Sequence, residues 1–321
     1  MIKSLNIQNF KSIKHLHLDC KKINIFIGKP NAGKSNILES IGFFSYMYGK
    51  IGDLVRFGNN YANLFNDLEL SEKIMITADD YYYEIKFSDQ MFIGSGGDKE
   101  KKIFHFDFNY GYNLGGSSGG SGNSPFKFYR FALGDKFTRQ EYSFLLPPKG
   151  ENLLFAIQTN RALRKLVVDI FSEYGLKIVL KPQEQEIAIQ KEKEDVIISL
   201  PLSLVSDTLL RIIFHLAAIE TNKDSIIIFE EPEAHAFPYY TKFLAERIAL
   251  DKTNQYFIST HNPYFLLPVL AKARKEDIRI FITYFEDYQT KVRLLTEKEM
   301  SETLDRDESI FFNLDEFTEK E

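Results

Sequence analysis

Cysteine is nearly absent: Cys20 stands alone among 321 residues. One thiol cannot build an internal disulfide framework or a Cys-based zinc site, and its scarcity fits a reducing cytosol. A large excess of one charge is also missing. With 45 acidic residues against 40 basic, the formal charge of −5 gives no global pull toward nucleic acid or an anionic membrane. A basic patch can still sit on a near-neutral protein. Long apolar runs are lacking too. The most apolar stretch, Leu200 to Ile219, contains Asp207, Arg211 and His215, so it reads as a buried or amphipathic helix. The opening Met1-Ile2-Lys3-Ser4 lacks the basic-then-apolar order of a signal peptide. No internal repeat is visible. These absences predict a soluble cytoplasmic protein with no membrane partner. What is present is ordinary globular composition, 44% hydrophobic and 26% charged, in a chain long enough for one large domain or two modest ones. That excludes a wholly disordered, fibrous or collagen-like chain.

The first 28 residues alternate in the manner of strands, at Ile2, Leu5 and Ile7, then Ile13, Leu16 and Leu18, then Ile23, Ile25 and Ile27. The third run ends in Gly28, and helical spacing follows over Lys34 to Tyr48. Ile74 to Thr77 and Tyr82 to Phe87 read as a hairpin. Residues 94–97 and 115–122 are Gly/Ser-rich and are expected to be flexible, either as a natural loop or as a linker replacing a longer insertion. Beyond Pro147 the pattern becomes an α/β alternation. A helix is expected over Asn152 to Tyr174, then strands at Lys177 to Leu180, Glu186 to Ile189 and Val196 to Leu200. A long helix from Ser206 to Thr221 leads to the buried strand Ile226 to Phe229, then helix Tyr239 to Leu250 and strand Gln255 to Ser259. Helix Pro263 to Lys272 and strand Ile278 to Thr283 complete it.

Gly28-Lys29-Pro30-Asn31-Ala32-Gly33-Lys34-Ser35 matches the phosphate-loop pattern G-x-x-x-x-G-K-[ST] at every fixed position. The glycines let backbone N–H groups turn inward around phosphates, and the helix that follows adds its positive end. Lys34 is suited to the terminal phosphates and Ser35 to Mg²⁺, with Asn36 next in line in the cradle. The loop lies between a predicted strand and a predicted helix, so a nucleoside triphosphate is the expected ligand. A second constellation follows the strand Ile226 to Phe229, which delivers Glu230 and Glu231 to a strand end, where open α/β sheets place ligand chemistry. Glu230 suits the Mg²⁺ shell and Glu231 the general base that takes a proton from the attacking water. The next strand ends in Ser259-Thr260-His261, and His261 reads as a sensor of the terminal phosphate.

These segments together resemble the ABC-type ATPase head of the SMC/RecF/OLD class. The opening Asn9-Phe10-Lys11, the phosphate loop, Leu204-Val205-Ser206-Asp207-Thr208, Ile226 to Glu233 with Ala234-His235, and Thr260-His261 carry the likeness over about residues 1–290. The resemblance implies a two-lobed P-loop α/β head, a mixed sheet with an antiparallel subdomain and a helical insertion at about 90–200. Residues 291–321 would then form a C-terminal extension. It also implies a head-to-tail homodimer that sandwiches ATP and Mg²⁺, with Ser206 as the signature serine reaching across. Glu230 takes the Mg²⁺ position, Glu231 that of the catalytic glutamate and His261 that of the switch histidine, with Lys34 on the phosphates.

Three departures stand out. Thr208 occupies the glycine position of the signature, and Ala234-His235-Ala236-Phe237-Pro238 lacks the family's second histidine. No glutamine is well placed for a Q-loop, Gln90 being in an unconvincing context. The chain after His261 is too short for the Toprim nuclease domain of OLD proteins, so a RecF-like ATPase without that domain is expected. Two functions follow: an ATPase in DNA maintenance, repair or antiviral defence, or a slowly hydrolysing, nucleotide-gated switch for a protein effector, which Thr208 favours. A transporter ATPase lacks support, since no full Leu-Ser-Gly-Gly-Gln signature is present. The basic groups Arg161/Arg164/Lys165 and Lys272/Arg274/Lys275 suit either DNA phosphates or solvated helix faces.

Overall fold

The opening alternation folds as expected into β1 (Ser4–Phe10), β2 (Ile13–Asp19) and β3 (Ile23–Ile27) of the computed structural model. The structure describes residues 1–58, 60–100, 102–109, 116–120, 123–134, 136–305, 309–312 and 314. After β3 the chain turns into α1 (Lys34–Gly42), whose Ile37, Leu38 and Ile41 share one buried side. The helix expected to reach Tyr48 stops at Gly42, and the next six residues tighten into 3₁₀ turns. A short helix, α2 (Ile51–Leu54), precedes β4 (Ile74–Ala78), β5 (Tyr81–Ser88), β6 (Met91–Asp98), β7 (Lys102–Asn109) and β8 (Gly116–Gly120). With β1 and β2 they form an antiparallel seven-stranded sheet in the order β2-β1-β4-β5-β6-β7-β8.

The Gly/Ser segments differ from their expected flexibility. Residues 94–97 lie within β6, where a Cβ on Gly94 would come 2.2 Å from the Phe106 ring and one on Gly96 2.5 Å from Phe104. Small residues there make room for aromatic rings on the neighbouring strand. Gly116–Gly120 pairs antiparallel with β7, so it is a strand rather than a loop, while residues 115, 121 and 122 lie outside the described residues.

Strand β9 (Phe126–Tyr129) returns the chain to the second sheet. The helix expected over 152–174 is two, α3 (Leu153–Thr159) and α4 (Arg161–Ser172). Asn160 divides them because its side chain accepts from the Leu163 N–H and so starts a new helix. Strands β10 (Lys177–Lys181), β11 (Glu186–Lys193) and β12 (Val196–Pro201) form a separate antiparallel sheet. The remaining elements fall close to their expected limits: α5 (Asp207–Thr221), β13 (Ile226–Glu230), α6 (Pro238–Leu250), β14 (Gln255–Ser259), α7 (Pro263–Lys272) and β15 (Ile278–Glu286). They are followed by β16 (Gln289–Leu294), α8 (Glu297–Asp305) and α9 (Ser309–Phe312). The six-stranded sheet runs β16-β15-β3-β14-β13-β9, parallel except for the β15–β16 hairpin.

That sheet separates two cores. Ile23, Ile25, Ile27, Ile227, Phe229 and Ile258 face the side covered by α3 to α7, and Phe26, Ile226, Ile228 and Phe257 face α1 and the seven-stranded sheet. Among the described residues, no helix is long and apolar enough to cross a membrane.

One cation is buried in this framework. Lys127 on β9 is 3% exposed, with Nζ 3.9 Å from the Tyr48 ring centroid and 3.7 Å from that of Phe144, and it bonds the Tyr48 hydroxyl. Burial pushes its pKa down from 10.5 to about 7. Between those values the unfolded chain holds a proton that the folded chain gives up, so stability from this group falls as pH drops from 10.5 to 7. Lys127→Met should remove that slope. Denaturant unfolding at a series of pH values should show the variant gaining on the parent as pH falls toward 7, with no gain near 10.5.

Candidate nucleotide-binding and catalytic site

The phosphate loop is held open by its contacts with β15 and β16. A Cβ on Gly28 would lie 2.1 Å from the Thr283 carbonyl oxygen, and one on Gly33 1.9 Å from Thr290 Oγ1. Gly33 also has φ +96°, a conformation that penalises any side chain. Asn31 takes φ 60°, which its short polar side chain tolerates. Ser12 fixes the flank, with its Oγ 2.6 Å from Thr290 Oγ1 and accepting from Asn36 Nδ2 at 2.7 Å. No side-chain oxygen caps α1, so its N-terminal end suits phosphate oxygens. The buried Lys34 folds onto its own loop, donating to the Gly28 carbonyl at 2.7 Å and the Lys29 carbonyl at 2.9 Å. Burial lowers its pKa, and the nearby charge of Glu231 opposes that shift.

Glu230 ends β13 directly opposite Ser259 of β14. Its carboxylate accepts from the Ser35 hydroxyl and is bound by Arg56 and by Arg130 Nη2, the latter at 3.3 Å. Burial alone would raise this carboxyl, but Ser35 and the two guanidinium groups outweigh it and hold the pKa below the usual value. Beneath lies Glu39, 1% exposed, which binds Lys11, Arg56 Nε at 2.9 Å and Arg130 Nη2 at 3.3 Å. Burial also lowers the Lys11 pKa, against the pull of Glu39. The Ser35 hydroxyl and Glu230 carboxylate form a pair of adjacent hard oxygen donors, a set that fits Mg²⁺, which fills its shell mostly with phosphate and water. Among the described residues there is no cluster of three His, Cys, Asp or Glu side chains, and a Mg²⁺ held this way needs none.

Glu231 leaves the strand with φ 46°, its N–H bonded to the Ser259 carbonyl at 3.1 Å. Its carboxylate lies 3.3 Å from His261 Nδ1. It lines a cavity of about 380 Å³ together with Lys34, Ser35, Asn36 and Arg56. Gln90 sits in the tight turn after β5 with φ 62° and does not line this cavity. Ser206 also stays out of it. Its side chain caps α5 by accepting from the Leu209 N–H at 3.4 Å and borders a separate apolar groove with Leu204 and Phe237.

The profile of a protein family described as "AAA domain, putative AbiEii toxin, Type IV TA system" matches residues 23–267. The chain belongs to this family. Its fold is that of the SMC head. An SMC head solved with the C-terminal winged-helix domain of ScpA superposes with a TM-score of 0.53 at 14% identity, covering 94% of this chain and 99% of that one. A Pyrococcus furiosus SMC head with an extended coiled coil gives 0.51 at 12% identity, covering 95% and 98%. Among curated relatives, the DNA replication and repair protein RecF of Lactobacillus acidophilus is 38% identical over 73 residues, 21% of this chain and 20% of that one. An ATP/GTP phosphatase of Helicobacter pylori is 47% identical over 51 residues, 16% and 13% of the two chains. The chain thus matches a fifth or less of the length of these relatives.

In this AAA-family head the phosphate loop, Glu230, Glu231 and His261 converge, whereas Ser206 does not join them within one chain. Sequence reasoning missed Lys11, Glu39, Arg56 and Arg130 as parts of the site. Glu39 carried a signal, since it lies four residues after Ser35 and so shares its side of α1. The two arginines come from irregular segments and had none. Removing the buried Glu39 charge leaves the largely buried Lys11 without a carboxylate, while Arg56 and Arg130 keep only Glu230. Glu39→Gln should therefore lower unfolding stability by about 3 kcal/mol, measured by denaturant titration.

Proposed function

We propose that the chain binds ATP with Mg²⁺ and hydrolyses it, and that two copies close head to tail around the nucleotide. The carrying observation is the Glu231–His261 pair, 3.3 Å apart, at the cavity formed by the phosphate loop. Lys34 exchanges the Gly28 and Lys29 carbonyls for the terminal phosphates, a charge-assisted replacement of two neutral acceptors. Backbone N–H groups of Lys29, Pro30-flanking Asn31, Ala32 and Gly33 cradle the phosphates, and Ser35 with Glu230 would hold Mg²⁺, which when bound neutralises phosphate charge. Glu231 accepts the proton of the attacking water, and His261 holds the terminal phosphate on the other side. Ser206 of a second copy completes the site. The exposed apolar side chains Leu204 and Phe237 near Ser206 support a partner surface there.

A DNA maintenance, repair or defence role is supported by the names of the RecF relatives and by the family description. A protein effector is the alternative to DNA. The candidate basic faces are largely engaged within the chain: Arg164 bonds the Ile157 and Gln158 carbonyls, Lys165 pairs with Asp169, and Arg274 with Asp277. A slowly hydrolysing switch gains support from Thr208, whose hydroxyl is engaged by the His235 carbonyl at 2.8 Å.

Lys34→Ala should abolish ATP binding in calorimetry while the fold survives. Glu231→Gln should retain Mg²⁺–ATP binding and lose turnover, because glutamine holds a water but cannot take its proton. With ATP this variant should persist as a dimer in light scattering. Glu230→Gln should weaken Mg²⁺-dependent binding as well. Native phosphate release by Glu231→Gln would move the general base elsewhere, and an inactive Glu231→Gln that stays monomeric with ATP would remove the sandwich.

A further inference from the structure

Glu231 and His261 are both partly open to solvent, at 38% and 62% side-chain exposure. A contact so exposed contributes little to its own geometry. Their separation must be set from beneath, and one buried contact lies in the right place.

Glu233, two residues beyond Glu231, is 3% exposed, and Thr260, immediately before His261, is fully buried. The Thr260 hydroxyl donates to Glu233 Oε1 at 2.5 Å and accepts from the Asn262 N–H at 3.1 Å. Asn262 in turn starts α7 by accepting from the Tyr264 N–H at 2.8 Å. The turn after β13 closes on itself through Ala234 N–H to the Glu231 carbonyl at 3.0 Å and Ala236 N–H to the Glu233 carbonyl at 2.9 Å. Glu233 is therefore fixed to Glu231 through the backbone on one side and to His261 through Thr260 on the other.

We propose that Glu233 is a positioning residue: its buried carboxyl, bonded to the Thr260 hydroxyl, sets the distance between Glu231 and His261. This rests on the assignment of those two residues to ATP hydrolysis. The role of the Glu233 carboxyl is that of a hydrogen-bond acceptor for Thr260, one that a glutamine amide oxygen can also fill. Burial, helped by the charge of Glu231 and opposed by the Thr260 hydroxyl and the backbone N–H groups of Glu233 and His261, lifts its pKa from 4.5 to about 7. Its second oxygen, Oε2, is buried without a hydrogen-bond partner, an arrangement far less costly for a protonated group than for an anion.

The test compares Glu233→Gln, Glu233→Leu, Thr260→Ser, Thr260→Val and the Glu233→Leu/Thr260→Val double variant. Steady-state turnover and calorimetric affinity are read with Mg²⁺–ATP, and retained affinity reports a folded phosphate loop. Glu233→Gln and Thr260→Ser preserve the bond and should keep kcat within about threefold of the parent. Glu233→Leu and Thr260→Val should lower kcat by about tenfold to a hundredfold, the effect of a small misplacement of reacting groups, with affinity nearly unchanged. The double variant should be no worse than the worse single, because one shared bond is lost. Should Glu233→Leu not fold, the Thr260→Val and Thr260→Ser pair decides alone. Parent-like kcat in Thr260→Val, or Glu233→Gln as impaired as Glu233→Leu, would overturn the proposal. Glu231→Gln run alongside separates the two levels. If it keeps parent turnover, the underlying assignment fails; if it is inactive while Thr260→Val is unimpaired, only the role of Glu233 fails.

Discussion

Parallel pairing of β3, β14 and β13 places Phe26, Ser259 and Glu230 side by side at one end of the central sheet. The phosphate loop, the histidine turn and the carboxylate turn all emerge from that line. A slip of one residue in any of these strands would exchange the side chains facing the two cores. Ile227 and Phe229 would then meet the packing around α1, while Ile226 and Ile228 would meet the helices on the other side. The register is thus held by burial on both faces, and the site inherits its precision from apolar packing.

Charge is organised around the same line. Glu39 and Glu230 lie between Lys11, Arg56 and Arg130, so each carboxylate has cationic partners without any ligand. Lys34 is likewise occupied by two carbonyls of its own loop. Under the proposed function, phosphate binding on such a surface would be an exchange of partners rather than the filling of a bare charged pocket. An exchange of this kind limits the cost of keeping cations together in a partly buried cavity.

The antiparallel sheet supports the phosphate loop from behind. Phe10, Phe43, Tyr83, Phe104 and Phe106 pack into the core that also contains Ile37, Leu38 and Ile41 of α1. Phe43 stacks on Tyr83 with ring centroids 4.4 Å apart, and Gly94 and Gly96 leave room for the Phe106 and Phe104 rings. The glycines that look like a linker in the sequence are therefore part of the wall that fixes the start of the site.

Local patterns determined much of this protein. Alternating apolar residues specified β1 to β3, the G-x-x-x-x-G-K-S spacing specified the phosphate loop, and an apolar run ending in Glu230-Glu231 specified a strand end bearing acids. Such features depend on neighbours within a few residues, so they can be read without a fold. The Gly94–Gly97 stretch misled because composition alone does not reveal an aromatic strand packed against it. Asn160 acted as a helix cap that periodicity concealed. Arg56, Arg130 and Glu233 could be assigned only in three dimensions. Arg56 and Arg130 reach Glu230 across 174 and 100 residues of chain, and Glu233 meets Thr260 across 27. Contacts so distant in sequence leave no periodic trace, and packing of the strands and turns brings them together.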